Sequence, residues 1–487
     1  MPVDLPKRLD SLFDFECIGL WWGKMKLKED WLACSFIVVL QLSLIWSHVA
    51  WQDEWQALQI AASSPNLTSL VEHLRYEGHP PLWYIFLRVI ALAGGGVLAL
   101  KIAATLCALI TIFIVLSFTN QPLWLRVCVL LSEPILFEFN TISRSGSLGI
   151  MIIFAVVRFW NNRAFWVLIG LLPLTDFLFG LVSVVFLSLR WREIFHWRIA
   201  PWFISGVVAA VSVIPPSDIV PALHPSSLYW DTLGWAARTG QLIFPFQPRW
   251  NAFSSMNAFM LPILLCMAYC QFSKIERLSF FIFLFVTFLF SIFIYPLLLR
   301  HLMVISVLLL ALSLGREMTP LVSVWIVGLA CLGVATATMN FLLPFDTAPK
   351  MASIIRQKGL QHAPWVGAPQ SVPQAVFAEL DLPFQRVGAD CASTFTRWNF
   401  PHVLNDTSTV AKWLAQRERQ GGFYLLSSVE LDRDAIVRVD AGYDGIPYYI
   451  YSFGDPKTGK LVPPCFNVHY YFEVPPGGGL HLGQFGG

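Results

Sequence analysis

Trp31-Leu-Ala-Cys-Ser-Phe-Ile-Val-Val-Leu-Gln-Leu-Ser-Leu-Ile-Trp-Ser-His-Val49 carries no formal charge and is followed at once by Ala50-Trp51-Gln52-Asp53-Glu54. A helix needs about 20 mainly apolar residues to cross a bilayer, so this run is long enough to span by itself. The rest of the chain has the same character. Its 487 residues are 56% hydrophobic and 13% charged, with mean hydropathy +0.60, whereas soluble domains carry roughly 25% charged residues. Much of the surface is therefore expected to face lipid. Twenty Trp residues suit the two membrane interfaces. A net charge of +2 gives no case for nucleic acid. The first thirty residues are polar and mixed, and show no cleavable signal peptide.

Lys and Arg mark cytoplasmic flanks. Lys24, Lys26 and Lys28 precede the first run, so residues 1–30 read as a cytoplasmic tail and 31–50 as running outward. Residues 51–80 form an outer loop. Arg158 with Arg163, then Arg190, Arg192 and Arg198, then Lys274 with Arg277, then Arg316 all fall on the cytoplasmic side under one threading. In it, 81–95 is an interfacial or re-entrant helix broken at Gly94-Gly95-Gly96. Residues 97–118 run inward, 123–139 outward and 145–160 inward. Residues 164–189 make two short helices meeting outside near Pro173-Leu174-Thr175-Asp176. Residues 199–214 run outward, 215–255 form a second outer loop, 256–273 run inward, 278–296 outward, 301–315 inward and 319–343 outward. Lys101 fits poorly, because it falls near the outer face.

The predicted fold class is mostly α: a multi-pass transmembrane helical bundle of about 11 spans, with interfacial helices and a small C-terminal α/β domain outside the cytoplasm. The bundle occupies 31–345. After Pro344 the composition turns polar, so 346–487 reads as the soluble domain, with an amphipathic helix at Ala348–Lys358, a strand at Phe423–Ser427 and a Gly-rich tail from Pro475. Six of the nine cysteines lie in or beside apolar runs, and Cys17 lies in the amino-terminal tail. Cys391 and Cys465 are the pair in the polar region, and a disulfide between them is open either way.

That threading uses only charge placement and span length, yet it gathers the notable polar residues on the outer side: Asp53, Glu54, His79, Glu138, Arg144, Asp176, Arg300 and His301. Ionisable residues at membrane depth are functional-site hypotheses by default. Each also has a structural reading. Asp53-Glu54 can start a loop helix, His79-Pro80-Pro81 can be a rigid turn, Glu138 and Arg144 can pair with each other, Asp176 can cap a short helix, and Arg300-His301 can anchor an interface. Taken together, carboxylates, histidines and arginines on one face suit a phosphate-bearing substrate. Arg binds phosphate oxygens with its fork of donors, and a carboxylate can take the proton of an attacking hydroxyl or amine.

The ordered set Asp53-Glu54, Glu77-Gly-His-Pro-Pro-Leu-Trp-Tyr84, Glu138-Phe-Asn-Thr-Ile-Ser-Arg144 and Tyr295-Pro296 with Arg300-His301 resembles the GT-C superfamily of membrane glycosyltransferases. The nearest branch is the one holding protein O-mannosyltransferases and the aminoarabinose transferase of lipid A. The resemblance covers about the first 300 residues. It implies a polyprenyl-phosphate sugar donor, a glycan, lipid or protein acceptor, and inverting transfer at the outer, periplasmic face of a bacterial inner membrane. It implies Asp53 as base, with Glu54 beside it. Glu54 and His79 would shape the acceptor site or, as in some relatives, hold a metal. Arg300 and His301, with Arg144, would hold the donor phosphate, and Glu138, Asp176 and Tyr295 would line the substrate site. One departure is that Ser145-Gly146 follow Arg144 where the family often places an aromatic residue. No oligosaccharyltransferase signature is present, so no cofactor is expected, and a divalent metal is compatible but not required. The competing reading is a transporter or flippase of lipid-linked saccharides, which would more typically show repeated halves.

Overall fold

The structure is a computed structural model that describes residues 29–217, 228–245, 255–369, 371–397 and 407–465. The amino-terminal lysines, Cys17, the tail from Pro475 and part of the 215–255 loop lie outside the described residues. Helices follow one another from the start: α1 (Glu29–Ser47), α2 (Gln52–Ser63), α3 (Leu67–Glu77), α4 (Leu82–Ile90), α5 (Ala99–Leu116), α6 (Leu123–Leu131), α7 (Ser145–Arg158), α8 (Ala164–Leu171), α9 (Phe177–Leu189) and α10 (Ala200–Val213). They continue as α11 (Leu228–Gly240), α12 (Leu261–Gln271), α13 (Lys274–Phe293), α14 (Leu299–Leu314) and α15 (Pro320–Leu342). Three of these, α5, α13 and α15, are long and apolar enough to cross a membrane, and α1 with α2 makes a fourth candidate if that pair, bent by 81°, is one broken span. Among the described residues, seven further apolar helices are shorter. The expected breaks are present. The helix after Pro81 loses its α-geometry beyond Ile90, with Gly94 at φ 97°, and α8 and α9 are separated by a turn at Leu172–Leu174 and by Asp176.

Helix α14 is apolar around its whole circumference and is buried from Leu302 to Leu314, as befits a helix with neighbours on every side. It is therefore the axis of the bundle, and its first turn carries Arg300 and His301. Lys101, which fits the charge pattern poorly, has a local role. Its Nζ donates to the carbonyl oxygens of Ile45, at 2.7 Å, and of His48. Those are the last carbonyls of α1, where a cation meets the negative end of the helix dipole.

Beyond Leu342 the chain forms α16 (Ala348–Gln357), α17 (Gln374–Leu380), α18 (Thr407–Arg419) and a six-stranded sheet in the order β3-β2-β1-β4-β6-β5. The strands are β1 (Trp365–Ala368), β2 (Phe384–Arg386), β3 (Ala392–Ser393), β4 (Phe423–Ser427), β5 (Val437–Val439) and β6 (Tyr448–Phe453). Strand β1 runs parallel to β2 and β4, and β6 runs antiparallel to β4 and β5. Parallel neighbours need a crossover connection, and α17 supplies it between β1 and β2. Cys391 and Cys465 form a disulfide, which ties the start of β3 to the chain after β6.

Candidate active site

Asp53 sits in the first turn of α2, one residue beyond the bend from α1. Its Oδ2 lies 3.0 Å from Nη1 of Arg300 and 3.3 Å from Nη2 of Arg144. Both guanidiniums pass near the ring of buried Trp51, with their centres 5.0 Å and 6.0 Å from its centroid. All three charged side chains remain about a fifth to a quarter exposed, so the cluster is open to a ligand. Arg144 stands immediately before α7 and Arg300 in the first turn of α14. Three helix starts thus converge on one carboxylate.

His79 and Asp176 form the next layer. His79 follows Gly78, which closes α3 in the left-handed region at φ 70°, a conformation open to glycine at little cost. The prolines after it start α4. His79 Nδ1 lies 3.6 Å from Asp176 Oδ2, while Asp176 Oδ1 caps α9 by accepting from the Leu178 N–H. Glu138 is buried on the irregular turn Pro134–Phe139, and with Asp53 and Asp176 it acts electrostatically on Arg144. His301 feels Arg300, Arg144, His79 and Arg238. Its Nδ1 accepts from the Leu298 N–H at 3.1 Å, so Nε2 carries the ring proton and is the nitrogen able to donate. The ring of Tyr295 stands 5.8 Å from that of His301.

Glu54 goes elsewhere. It is buried, with Oε2 2.9 Å from His48 Nε2 and accepting from the Trp51 N–H, while Oε1 accepts from the Ser143 N–H at 2.7 Å. Successive helical residues point about 100° apart, so Asp53 faces the arginines and Glu54 faces the interior. Glu54 braces the loop that presents Arg144 rather than lining the open cluster.

Three residues outside the candidate set belong to this neighbourhood. Trp51 forms the floor under both arginines. Tyr84 is buried within the field of Arg144, Asp53 and Asp176. Arg238, on α11, acts on His301. Tyr84 lies within the Glu77–Tyr84 motif, which was the available signal for it. Among the described residues no group of three or more His, Cys, Asp or Glu side chains is placed to hold a metal ion.

A cavity of about 1070 Å³ lies at the opposite ends of the same helices, between the ends of α5 and α7 and the start of α13, lined by Asn120, Arg158, Trp160, Asn162, Glu276 and Arg316 among others. Helix α7 alone separates Arg144 from Arg158 by about 21 Å of axis. This cavity is therefore remote from the acid–arginine cluster.

No family model matches this chain, and no curated protein does. Among solved structures it is similar to the crystal structure of ArnT from Cupriavidus metallidurans bound to undecaprenyl phosphate. The two share 14% identity with a TM-score of 0.48, over 88% of this chain and 98% of that one.

Proposed function

We propose that this chain is a membrane glycosyltransferase that moves a sugar from a polyprenyl-phosphate-type donor to an acceptor at the outer face. On this reading 31–345 is the catalytic portion, 346–487 a soluble domain on the same outer side, and the membrane a bacterial inner membrane with the site facing the periplasm. The observation that carries the reading is the convergence of Arg144 and Arg300 on Asp53. A carboxylate flanked by two guanidiniums is favoured in its charged form, which is the form a general base needs. The arginines offer N–H forks suited to a phosphate, and His301 adds a neutral donor.

Asp53 takes the proton of the acceptor hydroxyl or amine as that atom attacks the anomeric carbon. The bond from carbon to phosphate oxygen breaks on the far side, which inverts the centre. The electron pair leaves with the phosphate, whose growing charge meets Arg144 and Arg300. Because both arginines also hold Asp53, an arriving phosphate draws them away and exposes the base as the donor docks. His79, Asp176, Glu138, Tyr295 and Tyr84 surround the sugar and acceptor. No cofactor is required, and Glu54 acts as the brace beneath Arg144.

The test is transfer from a radiolabelled polyprenyl-phosphate sugar by the purified protein in lipid nanodiscs. Labelled acceptor in the parent protein and its loss in Asp53→Asn support the reading. An active donor pool carried across vesicles without any glycosyl product points to the transporter instead, and parental transfer by Asp53→Asn overturns the base assignment.

A further inference from the structure

Helix α2, which carries Asp53 in its first turn, is held along an adjacent face by the sheet portion of the molecule. Gln52, Gln56 and Gln59 recur at the spacing that puts side chains on one helical face. Each is engaged by a residue more than three hundred positions away. Ser371 Oγ donates to Gln52 Oε1 at 3.2 Å. Gln56 makes a two-way pair with the Thr396 backbone, donating to its carbonyl at 2.8 Å and accepting from its N–H at 2.8 Å. Gln374 Nε2 donates to Gln59 Oε1 at 2.7 Å.

Behind these contacts lies Arg386, at the end of β2 and only 1% exposed. Its Nε donates to Thr396 Oγ1 at 3.1 Å, its Nη2 to Gln374 Oε1 at 3.3 Å, and its Nη1 to Ser393 Oγ. Thr396 Oγ1 donates in turn to Gln374 Oε1 at 3.1 Å. The two residues that grip Gln56 and Gln59 are therefore themselves fixed by one guanidinium. A buried arginine loses its hydration, and its planar fork is worth retaining where several acceptors must be held at set angles. Packing alone would be served by an apolar side chain of similar volume. One face of α2 is tied into a polar lattice, and Asp53, about 100° around the helix from Gln52, borders that face at the arginine cluster.

We infer that Arg386, acting through Thr396 and Gln374 on Gln56 and Gln59, is a positioning residue that sets where α2 presents Asp53. The inference rests on the reading of Asp53 as the base. It gives the sheet portion a part in turnover, since displacing a reacting group by about 1 Å can cost about 100-fold in rate. Arg386 touches no substrate in this scheme, so its loss lowers kcat and leaves donor KM in place.

The experiment compares parent, Arg386→Lys, Gln56→Leu, Asp53→Asn and the double variant Gln56→Leu/Asp53→Asn, all as full-length protein in nanodiscs, well below their melting temperatures. Gln56→Leu preserves bulk on α2 and removes the Thr396 pair together with the Gln56 Nε2 bond to Glu77 Oε1, and Arg386→Lys acts on the Thr396 side alone, so the two variants read the same lattice from different ends. The expected result is a fall in kcat of about tenfold or more for Gln56→Leu and Arg386→Lys, with donor KM within about twofold. In the Asp53→Asn background Gln56→Leu costs nothing further, because its effect passes through Asp53. If Gln56→Leu and Arg386→Lys lower the melting temperature but keep parental kcat, the residues are structural and the inference is overturned. An equal further loss of rate in the Asp53→Asn background also overturns it. If Asp53→Asn alone retains the parental rate, the base assignment fails, which is a distinct outcome read from a different variant.

Discussion

At one end of the helices Asp53 gives a single oxygen to two guanidiniums, and at the other Glu276 gives both of its oxygens to one. Arg300 and Arg144 reach the same Oδ2 of Asp53 at 3.0 Å and 3.3 Å. Arg316 meets Glu276 fork to fork, Nη1 on Oε2 at 2.5 Å and Nη2 on Oε1, and Glu276 also accepts from the Ser273 N–H that starts α13. Nearby, Arg190 pairs with Glu193 in the same two-point manner. A two-point pair satisfies donor and acceptor geometry together and fixes both side chains in place. A shared, one-point contact is easier to exchange for another anion. On the proposed reading, the contrast separates ion pairs that hold the fold from those poised to release a partner.

The contrast is broken most directly at Asp53. Asp53→Asn keeps the side-chain volume and removes the proton acceptor, and transfer is expected to fall by about 100-fold or more. Donor binding should be retained or tightened, because the carboxylate no longer competes for the two arginines. Transfer assays with a donor titration check both, and weakened donor binding would contradict the exchange of partners. Arg300→Ala comes next. Losing a charge-assisted contact of about 1.5–3 kcal/mol should weaken donor binding by roughly ten- to a hundredfold in a labelled-lipid binding assay, with little change in acceptor KM. Unaltered donor affinity would remove Arg300 from the phosphate site.

Arg316→Gln sharpens the comparison from the opposite end. It should lower stability by about 1–3 kcal/mol, since Glu276 would lose its fork partner, and leave kcat for transfer close to parental. Thermal denaturation beside initial-rate measurements separates the two. A variant of parental stability with collapsed turnover would show that the two-point pair is not merely structural.

The residues of the cluster were legible in the sequence for a simple reason: an ionisable group at the edge of an apolar run is costly, so Asp53, His79, Arg144, Asp176 and Arg300 stand out against their surroundings. The Pro173–Asp176 break and the glycine interruption after α4 were legible because turn chemistry is local. Trp51 was not, because an aromatic residue at a membrane edge already has an interfacial explanation. Arg238 sits in a stretch whose composition reads as an ordinary loop. Adjacent acids look alike in one dimension, and only the helical rotation between Asp53 and Glu54 assigns one to the cluster and the other to His48 and Ser143. The misfit of Lys101 arose because charge counting by side ignores a helix end that needs a cation. The glutamine face of α2 was invisible, since its partners lie more than three hundred residues away.

Asp346 completes the comparison, as a carboxyl faced by a second carboxyl. It lies between the end of α15 and α16, buried, accepting from the Ala348 N–H at 2.7 Å and from the Tyr448 hydroxyl at 3.0 Å and 3.2 Å. Burial, and then the neighbouring Asp444 charge, push it up to about 8. The sign follows from proton binding. A carboxyl raised above its unfolded value of about 3.9 holds more protons in the folded state, so its stabilising contribution is complete below that value and is lost as pH rises through about 8. The apparent melting temperature should therefore decline between mildly acidic conditions and pH 8. Asp346→Asn keeps the shape and an acceptor for Tyr448 while removing the titration, so its melting temperature should be flatter over the same range. Catalysis need not share this dependence, because the titration belongs to Asp346, shifted by burial and then by Asp444, and not to the arginine cluster. A parent and variant that decline in parallel would mean that some other group sets the pH response, and that burial of Asp346 against Asp444 is not felt in the stability of the fold.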